Sequence, residues 1–328
     1  MLKKTLLALA IVAMPGCAQK QKPVEENAHA SITWPDSISI PHFSKKQFSG
    51  TGFTRGKILD DNTAYTRYFI TYKSGTMTIS GIMNVPKGKG PYPLLILNHG
   101  YINPRVYTNG RGLKREQDYL ARRGYVVIHP DYRNHAQSDK DTINSPRFRL
   151  TYVEDVINAV LAVRNADLPY VDKERIGMLG HSMGGGIALN VMVAKPDLVK
   201  AFVLFGTVSA DLLDNFYHWD ANRPGLMEKV FREYGSPNEN PAFWQNLSPM
   251  TFFDQVVSPV QIHHAITDES CPVAWARKIR DSLQVHQKTV TFFEYPNEKH
   301  EFINAWPLVM ERTAGFFDEH LKTHTDGI

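Results

Sequence analysis

The sequence predicts an α/β fold: a mostly parallel central sheet with helices on both faces. Three observations predict it. Solid apolar runs such as "YPLLILN" and "YVVIHP" read as strands buried on both sides. Stretches with helical spacing, such as "LKREQDYLARRG", separate them, and this one stops at Gly124. The alternation of strand and helix then runs to the end of the chain. With 328 residues and 42% apolar content, the chain can bury the core such a sheet requires.

Taken in order, "MLKKTLLALAIVAMPGCAQK" opens with Lys3 and Lys4 and a short apolar run, Thr5 to Met14. That is the shape of an export signal and too short for a permanent membrane span. "MPGC" resembles a bacterial lipobox, in which Cys17 would carry lipid after cleavage over residues 1–17; a plain secretory signal cut nearby is the alternative. Either way the expected location is the bacterial cell envelope, in the periplasm or at the outer membrane. With Cys17 lipidated, Cys271 stands alone and no internal disulfide is expected. Residues 18–45 are polar, broken by Pro23, Pro35 and Pro41, and read as a flexible tether, followed by one catalytic domain over 46–328. The net charge of +4 is spread without basic blocks and gives no case for nucleic-acid binding.

"RYFITYKSGTMTISGIMNV" alternates around "KSG", a hairpin. "YPLLILNHG" and "YVVIHPDYR" are strands on either side of the first helix. "RLTYVEDVINAVLAVRNA" is an amphipathic helix, "RIGMLGHS" a strand and "MGGGIALNVMVAKP" a helix. "VKAFVLFGTVS", "VQIHHAITDES" and "KTVTFFEYPNEKHEF" are further strands, with "AWARKIRDSLQV" a helix before the last and "PLVMERTAGFFDEHLKT" the closing helix. Residues 211–250, rich in aromatics, Asn and Pro, read as a helical excursion over one end of the sheet.

"GHSMG" fits Gly-x-Ser-x-Gly at a strand-to-helix junction. A Ser in that sharp turn projects above the sheet, and side chains at Gly180 or Gly184 would collide with neighbouring backbone. The helix after Ser182 aims its positive end at the reacting centre. A Ser hydroxyl needs a base, and the base an orienting carboxylate. Asp268 follows one apolar strand and His300 the next, giving the order Ser, acid, His; Glu269 is a fallback acid. His263 and His264 lie within a strand pattern and read as structural. An oxyanion needs two donors: the backbone N–H of Met183, and one from the loop after "LLILNHG", assigned to Tyr101. The aromatics of the excursion, Phe216, Tyr217, Trp219, Phe243 and Trp244, either line a substrate pocket or pack the excursion down. This chemistry requires no metal and no organic cofactor, and neither His-Glu-x-x-His nor a paired-Cys motif occurs.

With these residues placed, the chain resembles the α/β-hydrolase superfamily over about residues 50–322, and within it the catalytic domain of the prolyl oligopeptidase family. "LNHGY", "HPDYRNHAQSD", "GHSMGGG", "YGSPNENPAFWQNLSPM", Asp268 with Pro272, and His300 carry the likeness. Tyr101 departs from it by replacing a Gly, as do Asn134 and Ala136. No Glu-Glu helix for an amino terminus is found, and too few residues precede the first strand for the family's β-propeller. The resemblance implies a serine hydrolase acting on short peptides. The alternatives are an esterase for acyl groups of saccharides or small molecules and, remotely, a non-catalytic envelope lipoprotein on the same fold. Labelled palmitate fed to a bacterial host is expected to tag the wild-type chain and not Cys17→Ser; equal labelling of both would refute lipidation.

Overall fold

The computed structural model describes residues 39–141, 150–220, 223 and 225–322. The expected signal segment, Cys17 and the tether up to residue 38 lie outside the described residues. The end of the tether is corrected by the structure. Ile40–Lys45 form a short helix, α1, with Ile40 and Phe43 buried in the core. Ser39 caps it, its hydroxyl accepting from the backbone N–H of His42 at 3.1 Å. Pro41 sits in the first turn, where its missing N–H has no partner to lose. Read as a breaker, it starts a helix instead.

The strands are β1 (Thr51–Asp61), β2 (Tyr65–Ser74), β3 (Met77–Pro86), β4 (Tyr92–Asn98), β5 (Val126–Pro130), β6 (Val171–His181), β7 (Ala201–Phe205), β8 (Val260–Ala265) and β9 (Val290–Tyr295). They form one sheet in the order β1-β2-β3-β5-β4-β6-β7-β8-β9. The first four in that order pair antiparallel, and β5 through β9 pair parallel. The "KSG" turn joins β2 to β3 in unbroken register from Tyr65↔Pro86 to Ser74↔Met77. β1 has no counterpart in the sequence reading. "TGFTRGKILDD" has two glycines and no apolar alternation, and the strand is exposed along nearly its whole length at the sheet edge.

The helices are α2 (Lys114–Arg122), α3 (Leu150–Asn165), α4 (Met183–Ala194), α8 (Val273–Val285) and α9 (Trp306–Leu321). Those of the excursion are α5 (Leu212–Trp219), α6 (Leu226–Tyr234) and α7 (Pro241–Asn246), followed by a 3₁₀ segment, Pro249–Gln255. One face of the sheet buries Ile96, Ile128, Met178 and Leu204 against α3, α4, α8 and the excursion. The other buries Leu95, Val127, Leu179 and Val203 against α2 and α9. Helices on both faces explain why β4 to β8 read as continuous apolar runs.

Two buried anions hold the loops above this sheet. Asp131 follows β5 and accepts from Ser80 Oγ (2.6 Å), Asn109 Nδ2 (2.7 Å), the Gly110 N–H (2.8 Å) and Tyr107 OH (2.8 Å). The Asp155 carboxylate on α3 accepts from the Arg133 guanidinium at 2.7 and 3.0 Å and from the Arg133 N–H at 2.9 Å. Both members of that pair are buried. Arg133 also pairs with Asp141 at 3.0 Å and Glu154 at 3.5 Å, so removing Asp155 leaves the cation compensated but its backbone N–H and part of its guanidinium without a partner. Asp155→Ala is therefore expected to lower unfolding free energy by about 1–3 kcal/mol, measured by chemical denaturation.

Candidate active site

The parallel strands deliver their C-terminal ends to one edge. Asn98 on β4 pairs with Gly180 on β6, so the loop that begins at His99 lies beside the turn at Ser182. His181 pairs with Phe205 on β7, and the Ser182 N–H donates to the Phe205 carbonyl at 2.9 Å. Beyond β8 lies Asp268, and beyond β9 lies His300.

Ser182 has φ 55° and ψ −121°, a strained backbone for a residue with a side chain. The turn leads straight into α4, whose first residue is Met183. Gly184 makes the approach feasible, since a Cβ there would be driven into the carbonyl of Asn98. One at Gly180 would strike the Gly184 carbonyl. Gly206, after β7, has φ 45°, and a Cβ on it would come within 3.1 Å of both Asp268 Oδ2 and His300 Nδ1.

The structure brings Asp268 and His300 together. His300 Nδ1–H donates to Asp268 Oδ2 at 2.8 Å, leaving Nε2 as the free acceptor of the ring. Asp268 Oδ1 accepts from the backbone N–H groups of Ser270 and Cys271, each at 2.8 Å. Burial pushes the Asp268 carboxyl up, but the bonds from His300 and Cys271 outweigh it and hold its pKa below the usual value. Glu269, the fallback acid, makes a different contact: its Oε2 accepts from the His300 backbone N–H at 3.3 Å.

Three residues of this site were not assigned to it from the sequence. His181 packs its ring 4.5 Å from that of His300 and donates from Nε2 to the His300 carbonyl at 3.2 Å. His264 was read as structural; its Nε2 donates to the Cys271 carbonyl at 2.8 Å and lies 3.5 Å from Asp268 Oδ2. The buried Cys271 thiol makes a hydrogen-bonding contact with the Ser182 side chain, and burial pushes its pKa up to about 12. A signal for His181 existed in "GHS"; none existed for the other two, whose roles depend on how the loop after β8 folds back.

A cavity of about 950 Å³ opens over Ser182. Tyr101, Met183 and His300 line it together with the Ser. Phe216 and Trp219 also line it. The pocket assignment of Tyr217 is corrected: one residue further along α5, it turns out of the cavity and is 49% exposed. Phe243 and Trp244 are buried in the core instead, Phe243 stacked on Tyr234 and Trp244 against Phe216.

Several site histidines are held neutral. Burial, reinforced by His135, lowers His99 to about 3. Burial and the neighbouring His300 lower His181 to about 4, and burial with Arg312 lowers His263 to about 3. The neutral His99 donates from Nδ1 to the Gly100 carbonyl at 2.7 Å, with its ring stacked between Tyr107 and Tyr132.

A sequence model of the prolyl oligopeptidase family matches residues 111–324. The chain is 26% identical over 315 residues to the uncharacterized peptidase YuxL of Bacillus subtilis, covering 91% of this chain and 46% of that protein. It therefore spans less than half the length of that relative. The acylaminoacyl peptidase of Pyrococcus horikoshii superposes with a TM-score of 0.65 at 22% identity, over 81% of this chain and 44% of that one. Acetyl xylan esterase 1 of Thermoanaerobacterium superposes with a TM-score of 0.64 at 18% identity, over 89% and 96%.

The neutral histidines give stability a pH dependence of definite sign. Between the ordinary histidine pKa and the lowered values, the unfolded chain binds protons that the native protein does not. Stability is thus expected to fall as pH drops from about 6.5 towards 4, by up to about 1.4 kcal/mol per pH unit for each such histidine. Unfolding midpoints recorded across that range check this; a flat profile would contradict the neutral assignment.

Proposed function

The chain belongs to the prolyl oligopeptidase family and is a hydrolase, and from that premise we propose that Ser182, His300 and Asp268 form a catalytic triad working through an acyl-enzyme. The observation that carries this is the His300–Asp268 bond of 2.8 Å, with His300 lining the same cavity as a Ser in a strained turn. His300 Nε2 accepts the Ser182 proton as Oγ attacks the substrate carbonyl. The tetrahedral oxyanion takes the N–H groups of Met183 and Tyr101. As the carbon–heteroatom bond breaks, His300 returns the proton to the leaving amine or alcohol. Water then attacks the acyl-enzyme, giving its proton to His300, and the acid departs as Ser182 recovers its hydrogen. The carboxylate of Asp268 holds the Nδ1–H tautomer throughout. The low pKa of that carboxyl supports the role, since it stays an anion over the working range.

The substrates of this reading are short peptides or their N-blocked derivatives. A second reading, a carboxylic ester hydrolase, is favoured by the cavity wall. Of the carboxylates that line it, Asp220 is paired with Arg223 at 3.0 Å, while Glu233 and Glu301 are exposed at different elements of the rim. No fixed acidic pair among the described residues awaits an amino terminus. The enzyme would work at the cell envelope, tethered through Cys17; the sequence of the N-terminal segment supports this.

A fluorophosphonate probe is expected to label the wild-type chain and not Ser182→Ala. Asp268→Asn is expected to lower kcat by about four orders of magnitude, because the amide no longer enforces the working tautomer. Aminoacyl anilides and p-nitrophenyl esters assayed in parallel separate the two substrate classes. Absence of probe labelling on folded protein would remove the triad reading.

A further inference from the structure

His264 stands near the end of β8, and its side chain and that of Asp268 are both fully buried. Its Nε2 donates to the Cys271 carbonyl at 2.8 Å and lies 3.5 Å from Asp268 Oδ2, the oxygen that accepts from His300. A carbonyl oxygen only accepts, so Nε2 carries the ring proton and Nδ1 is a bare acceptor. That Nδ1 is buried without a hydrogen bond. An orphaned acceptor costs stability, and an apolar ring of the same size would escape the cost. Packing alone therefore does not account for an imidazole in this place.

What the imidazole supplies is its N–H. Asp268 Oδ1 accepts from the Ser270 and Cys271 N–H groups, each at 2.8 Å. Cys271 is thus held from two sides, by Asp268 through its N–H and by β8 through its carbonyl and His264. The loop fixes Oδ1, and His264 fixes the loop, so Oδ2 stays turned towards His300. Rotating the carboxylate would pull Cys271 off the strand. The charged and titratable groups that face His264 are Asp268, His300 and Glu294. Burial lowers its pKa against the Cys271 carbonyl and Asp268, which raise it. A neutral His264 leaves the charge of Asp268 to His300, where a cationic one would compete for it.

We propose that His264 is a positioning residue, which acts through the Cys271 carbonyl and the edge of Asp268 to hold the carboxylate in register with His300. It does not line the cavity and so acts on the reaction only through Asp268. The proposal rests on the triad reading of Ser182, His300 and Asp268. In that reading His300 takes up a proton in each half of the reaction, and each time the imidazolium must meet Oδ2 in the same place. A carboxylate free to turn would keep its charge and lose that geometry.

The test sets two substitutions in the full chain against each other. His264→Phe keeps the ring and removes the donor; His264→Gln brings an amide nitrogen to the place of Nε2. With p-nitrophenyl acetate, His264→Phe is expected to lower kcat by about tenfold to a hundredfold, with KM nearly unchanged. The acid limb of its kcat/KM profile is expected to move to lower pH, because the imidazolium loses its fixed counter-ion. His264→Gln is expected to restore most of both. A Phe variant with wild-type kcat and acid limb overturns the proposal. So does a loss of kcat in both variants with the acid limb unmoved, the mark of packing alone. Should the variants not fold, nitrogen NMR of the wild type decides: a neutral His264 protonated at Nε2 sustains the proposal, and a proton at Nδ1 overturns it. Should the wild type turn over no ester, the triad reading fails by itself, and the downfield resonance of the His300–Asp268 proton still reads the positioning. Its loss in His264→Phe and return in His264→Gln sustains the role of His264; its persistence in both overturns it.

Discussion

Everything in the site depends on one steric constraint, the contact between the start of α4 and the ends of β4 and β6. Ser182 holds φ 55° in a turn whose flanking glycines let backbone pack against backbone. Gly184 lies against the Asn98 carbonyl and Gly180 against Gly184. The helix cannot recede without taking Ser182 with it, nor approach without a clash. The strain is offset by the hydrogen bond from the Ser182 N–H to Phe205 and by the packing of α4, where ten of its residues are buried. The fold thus stores an unfavourable backbone conformation where the hydroxyl of Ser182 meets the cavity.

Around that point the molecule fixes its loops with buried anions, each handled differently. Asp155 is neutralised by a fork of guanidinium bonds. Among the described residues no cation is in direct contact with Asp131, and four neutral donors hold it; burial raises its pKa and those donors oppose the rise. Asp268 has two backbone N–H groups on one oxygen and an imidazole on the other. The first two solutions consume every lone pair in structure. The third leaves its imidazole partner with a free ring nitrogen facing the cavity side. That difference separates the anion of the proposed triad from those that only hold loops.

The same distinction explains what could be read from the sequence. Buried strands, the "KSG" hairpin and the Gly-x-Ser-x-Gly turn depend on local sterics and periodicity, and so they show in the residues themselves. Asp268 and His300 were legible because a sheet with this strand order brings successive strand ends to one edge. β1 was not, because its place is set by pairing with β2 and not by burial. Pro41 was misread because a proline in the first turn of a helix and one in an irregular segment look alike without the cap beside them. Tyr217 was grouped with Phe216 and Trp219 although helical geometry separates them: positions three apart share a face and adjacent ones do not. The contacts of His264 and Cys271 come from a loop turning back on itself, which leaves no periodic trace.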